Sequence, residues 1–216
     1  MNHEASASSE SYSPDGLFAN DGGIRSEKVT IPDGTAAMSR GTVVGKVTLG
    51  AATAEADGGN TGNGTLTVDA TTPVLAGAKV GDYIVTAIAA DTDSGTFRVE
   101  DPDGNVLGDV DVGDTFADDI KFVIADGGTD FAVGDKFTVT VAAGSGKFVT
   151  SLAAATDGSQ EPYGILADDT VLADGADIEA NIYIGGEFNA DYLTFGAGHT
   201  AASVKDGFRD KGVYIR

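Results

Sequence analysis

Apolar and polar residues alternate with a period of two along most of this chain, which predicts strands, because successive side chains of a strand face opposite sides. Val29-Thr30-Ile31 is a short β-rich run stopped by Pro32-Asp33-Gly34, in which Pro presets φ and Gly admits positive φ. Residues 41–49 read as a strand with Val43, Val47 and Leu49 on one face and a bulge at Gly45. From about 50 to 143 the alternation is cleanest. Tyr83, Val85 and Ala87 oppose Ile84, Thr86 and Ile88, and Phe97 and Val99 oppose Arg98 and Glu100. Ile120, Phe122 and Ile124 oppose Lys121 and Val123, and Phe137, Val139 and Val141 oppose Lys136, Thr138 and Thr140. One apolar face per strand, with Gly, Asp and Asn between strands, predicts a mainly β protein whose central block is an antiparallel sandwich or a barrel. Strands resume at 147–150, 163–166 and 178–184. A helical period occurs once. Thr200 is a good N-cap, Ala201, Val204, Lys205 and Phe208 share a face, and Gly212 supplies the stop before Val213-Tyr214-Ile215.

Three Val-Gly-Asp phrases, at 80–82, 112–114 and 133–135, set the central block apart from its flanks. Gly144-Ser145-Gly146 is a junction of small residues where a different segment rejoins. Residues 1–28 have neither strand nor helix period and are not expected to fold alone. Yet Tyr12, Pro14, Leu17 and Phe18 are sizeable groups in a small, polar segment. Two readings follow: the segment is ordered by docking on another surface, or it packs back on the chain's own domain.

Composition narrows the function. The 216 residues carry a formal charge of −21, from 34 acidic and 13 basic side chains. That charge repels a phosphate backbone, so nucleic acid is not an expected partner. The chain lacks Cys and has two His, His3 and His199. Disulfides, thiolate metal sites and Cys nucleophiles are thereby excluded, and acid–base chemistry rests on carboxylates. No apolar run is long enough for a membrane span, and the N-terminal residues do not resemble a secretory signal, so the expectation is a soluble, unexported chain.

The turns Asp91–Gly95 and Asp101–Asn105 bring carboxylates close together, as calcium loops do, but they lack a closing Glu and read more simply as hairpin turns. His199, beside the helix start, reads as a capping or packing residue. The expectation is no catalytic residue, no metal and no cofactor, hence no enzyme. A glycosidase would need two carboxylates across a cleft, and nearly all the Asp residues fall in turns.

Five phrases, in this order, resemble the head decoration proteins of tailed bacteriophages, the lambda type. They are Tyr12–Ala19, Arg40–Lys46, Tyr163–Ala167, Gly186–Asn189 and Arg209–Tyr214. They flank the central block on both sides. The resemblance implies a compact β-rich domain with one short helix, here made of 29–49 and 144–216, and this chain departs from that compact form by carrying a β-sandwich-like insert at 50–143. It implies a homotrimer on the outer surface of the expanded capsid, bound to the major capsid protein in the virion and cementing the shell. It also implies a loose arm at 1–28 that becomes ordered on the shell, with Tyr12, Pro14, Leu17 and Phe18 as contact residues. The insert, with 17 acidic and 4 basic side chains, is expected to project outward because such charge is poorly tolerated at a tight interface. The alternative is a surface module in the insert that binds glycans or a host cell.

Overall fold

The computed structural model describes residues 16–170 and 175–216. In chain order the strands are β1 (Phe18–Ile31), β2 (Val43–Lys46), β3 (Leu49–Ala56), β4 (Thr65–Val68) and β5 (Gly81–Asp91). Next come β6 (Ser94–Glu100), β7 (Val106–Asp111), β8 (Thr115–Ala117), β9 (Lys121–Ala125) and β10 (Lys136–Ala143). They are followed by β11 (Phe148–Thr150), β12 (Pro162–Leu166), β13 (Ile178–Phe188), helix α1 (Ala201–Asp210) and β14 (Val213–Ile215).

The outer parts of the chain build one sheet in the order β1-β13-β12-β2-β11, with β14 added parallel to the end of β13. The central block builds a sheet β3-β10-β5-β6-β7 and a smaller one, β4-β9-β8. Every pair within these two is antiparallel. Tyr83, Val85, Phe97, Val99, Phe137 and Val139 from the larger sheet share one core with Leu66, Phe116, Phe122 and Ile124 from the smaller. The central block is therefore a sandwich and not a barrel. The alternation selects the inner faces of β5, β6, β9 and β10, while Leu66, Val110 and Phe116 on β4, β7 and β8 and Phe131 in a loop complete the core without having been selected.

The first sheet has its own apolar groups. Leu17, Val43, Ile165 and Phe188 pack with Val204 and Phe208 of α1, while Ile31, Met38, Val44, Phe148 and Ile182 fill the other part. No residue of these clusters belongs to the sandwich core. The helix starts as expected, with Thr200 and Ser203 forming a reciprocal capping box. It ends at Gly212, whose φ of +82° suits the left-handed stop.

Two local readings change. The run 41–49 is not one strand. It breaks at Val47-Thr48, where the chain passes from β2 in the first sheet to β3 in the second. Its return lies alongside: Gly144 N donates to Thr48 O at 2.9 Å, and Val47 N to Lys147 O at 2.9 Å. A register shift does fall at Gly45, but in β12, between Pro162 opposite Gly45 and Gly164 opposite Val44, so the extra residue is not Gly45 itself. Gly45 lies in a central strand between β11 and β12, and a Cβ there would fall 1.9 Å from the Ser159 carbonyl oxygen, so the glycine serves a close backbone approach.

Candidate capsid-docking site

Of the four residues expected to touch the shell, Tyr12 and Pro14 lie outside the described residues. Leu17 and Phe18 are part of the fold. Leu17 is 2% exposed within the core of the first sheet. Phe18 opens β1, meets Tyr183 edge-on at 5.2 Å and Phe188 at 5.5 Å, and lies under the Arg40 guanidinium at 5.7 Å. The expected arm boundary at residue 28 is thus corrected: residues 18–31 form a strand paired with β13. Main-chain bonding to β13 holds this stretch. Residues 22–28 are exposed on both faces, so no alternation marks them.

Further contacts fix the start of the described chain at Gly16. Gly16 lies against Tyr192, whose ring would be 2.2 Å from an added Cβ, and Asn189 N donates to Leu17 O at 2.9 Å. Ala190 N, in turn, donates to Arg216 O at 3.0 Å. Gly16 and Leu17, the 3-10 turn Ala190–Tyr192 and the end of β14 therefore sit together. Tyr192 and Tyr214, 58% and 44% exposed, stand at this end, and a cleft of about 300 Å³ is lined by Lys205, Arg209, Tyr214, Ile215 and Arg216. Exposed Tyr and Arg are the residue types that protein interfaces concentrate. Sequence reasoning named Lys205, Arg209 and Tyr214 only as parts of the helix face and of a family phrase and did not gather them into a surface, although a signal existed: Val213 and Ile215 point inward, which turns Tyr214 out.

The aspartates of the central block are structural in most cases. In all three Val-Gly-Asp phrases the glycine has positive φ, +133° at Gly81, +91° at Gly113 and +99° at Gly134; the phrases at 112–114 and 133–135 are turns, whereas Gly81 and Asp82 open strand β5. Asp135 accepts hydrogen bonds from the amides of Thr61, Gly62 and Ala132 at 2.8–3.0 Å. Burial pushes its carboxyl up, but the three amides outweigh this and hold it below the usual value. At the Asp101–Asn105 turn the place of a cation is taken by Lys79, whose Nζ lies 2.7 Å from Asp101 and 2.6 Å from Asp103. The Asn105 side chain and then Lys79 hold the Asp101 carboxyl well below the usual range.

The Asp91–Gly95 turn contributes Asp93 to a group with Asp126 and Asp130, in which one oxygen of each lies within 4.8 Å of the others. His199 Nε2 is 3.2 Å from Ser151 Oγ and 3.1 Å from Gln160 O, which ties the helix start to the preceding loop. Its Nδ1 is buried without a hydrogen-bond partner. The pair lacks the carboxylate that orients a catalytic imidazole.

A family model described as bacteriophage lambda head decoration protein D matches residues 8–212. The chain belongs to that family. The family is one of structural phage-head proteins and not of enzymes, which gives this chain a structural role on a phage capsid, in the virion. Among curated proteins nothing matches. Two crystal structures of FlgL from Xanthomonas campestris match at 24% and 23% identity over 48% and 47% of this chain, each with a TM-score of 0.32. The chain spans about a third of those FlgL chains, 33% and 31%.

Proposed function

We propose that the protein binds the outer surface of an expanded phage capsid as a trimer and cements neighbouring capsid subunits. The unit built on the first sheet forms the trimer. The segment bearing Tyr12 and Pro14 reaches the major capsid protein, and the central sandwich projects outward. The family match over 8–212 carries this reading. Cementing is additive: subunits at a bridged junction separate only when the bridging interface is lost as well. Interfaces of about 800 Å² per partner are the usual scale of stable association, and repetition around a closed shell multiplies the effect.

Outward placement of the sandwich is supported by charge and by packing. Residues 50–143 carry 17 acidic and 4 basic side chains, a net of −13 that would be poorly tolerated in a tight interface. All six aromatic residues of this block, Tyr83, Phe97, Phe116, Phe122, Phe131 and Phe137, are buried in its core. That leaves no aromatic platform for a sugar and weighs against a glycan-binding module.

The test is to add purified protein to expanded heads that lack it and to image them by cryo-electron microscopy. Threefold density on the outer surface, with the sandwich furthest from the shell, is the expected result. Removing residues 2–15 should leave the thermal midpoint nearly unchanged and strongly reduce occupancy. Full occupancy by the truncated protein would move the shell contact elsewhere.

A further inference from the structure

We propose that the trimer closes by a head-to-tail contact in which the cationic cleft at one end of β13 receives the acidic groove at the other end of β13 in the next copy. This rests on the trimer reading above. The cleft lies where β14 pairs with residues 186–188 of β13. Lys205 in this cleft has no ion-pair partner among the described residues, Arg209 is 3.3 Å from Asp206, and Arg216 is 3.1 Å from Glu187. Tyr214 stands exposed in the same cleft.

The complementary surface is a groove of about 290 Å³ in which the carboxylates of Asp168, Asp169 and Glu179 stand beside Ile178 and Ala180, with Thr170 and Asn181 completing the lining. Its three carboxylates belong to exposed residues. Asp169 accepts from Arg40 N at 2.7 Å, Glu179 pairs with Lys28 in an ion pair exposed on both sides, and Asp168 stays open to solvent. Glu179 and Glu187 mark the two ends of β13, roughly 26 Å apart at the rise of a strand.

Two physical points favour a second copy as the occupant. A chain of net charge −21 repels its own kind at long range, and a local cationic surface meeting carboxylates offsets that repulsion where copies approach. Opposite charges at the two ends of one strand also restrict the symmetry. A twofold contact through either patch would set like charges face to face, whereas a head-to-tail contact uses both patches of every copy and closes into a ring when the rotation allows. Tyr214 would then lie against Ile178 and Ala180, giving the contact an aromatic anchor within a charged rim.

Charge reversal tests this. Lys205→Glu with Arg209→Glu forms one double variant of the full chain, Asp168→Lys with Glu179→Lys the other, and a quadruple variant combines them. Mass is measured by light scattering in solution and by crosslinking on decorated heads, and thermal midpoints check that each variant folds. Each double variant should weaken trimer association by about tenfold or more, the quadruple variant should regain it, and added salt should weaken the wild-type trimer. Double variants that stay trimeric, or a quadruple variant that does not regain the trimer, overturn the head-to-tail contact and leave the trimer reading standing. Double variants that stay trimeric but no longer decorate heads assign the cleft to the shell and likewise overturn it. A wild-type chain that is monomeric both in solution and on heads overturns both.

Discussion

Leu17 shows how one side chain changes the meaning of a segment. Beside Phe18 in a stretch without period it reads as a docking anchor, yet its place is a core shared with Val43, Ile165, Phe188 and Phe208. Leu17→Ala should therefore destabilise the isolated protein by about 2–5 kcal/mol, the cost of a core cavity, seen as a lowered denaturation midpoint without any capsid present. An unchanged midpoint would return Leu17 to the arm. Lys79 makes a second residue-scale case. The Asp101 carboxyl, held below its usual range by Asn105 and Lys79, contributes stability that is fully present above the unfolded-state value of about 4 and is lost as pH falls further. Lys79→Met should lower stability near neutral pH, and its difference from wild type should shrink as pH falls from about 4 towards 2. Comparing the two proteins by circular dichroism cancels the relief of overall repulsion that they share. A difference independent of pH would remove Lys79 from this role.

At the scale of elements, the strands of the sandwich and helix α1 are local facts. Their faces follow from a period of two or from caps such as Thr200, and the sandwich residues selected in this way all lie in the observed core, which Leu66, Val110, Phe116 and Phe131 complete. β1 and β2 are different. β1 is bulged between Phe18 and Arg25 and exposed on both faces over 22–28, so what holds it is its pairing with β13, some 160 residues away, which leaves no local trace. In β2 the glycine at 45 has a purely tertiary reason, the carbonyl of Ser159. Gly45→Ala should force that carbonyl away and cost about 1–3 kcal/mol, the usual range for overpacking, measured by denaturant unfolding. A neutral effect would show that the 157–160 loop yields freely.

For the whole molecule, the chain passes into and out of the sandwich between Thr48 and Gly144, already joined by a hydrogen bond, and the two sets of cores share no residue. Replacing 49–143 with Asn-Gly should thus give a two-residue hairpin turn and leave a folded unit that keeps its trimer mass and its binding to heads. Loss of folding would mean that the sandwich supports the first sheet. The amino-acid order alone determined the β class, the inner faces of the sandwich, the single helix and the family, since these rest on periods and phrases carried by neighbouring residues. It also carried the −13 of the central block. The tertiary structure decided that Leu17 is core with Phe18 packed against it, that Lys79 sits at the Asp101–Asn105 turn, and that Tyr192, Tyr214 and three cations gather at the end of the fold where Gly16 lies. Each of these depends on residues distant in sequence meeting in space, and a contact of that kind has no period for a sequence to display.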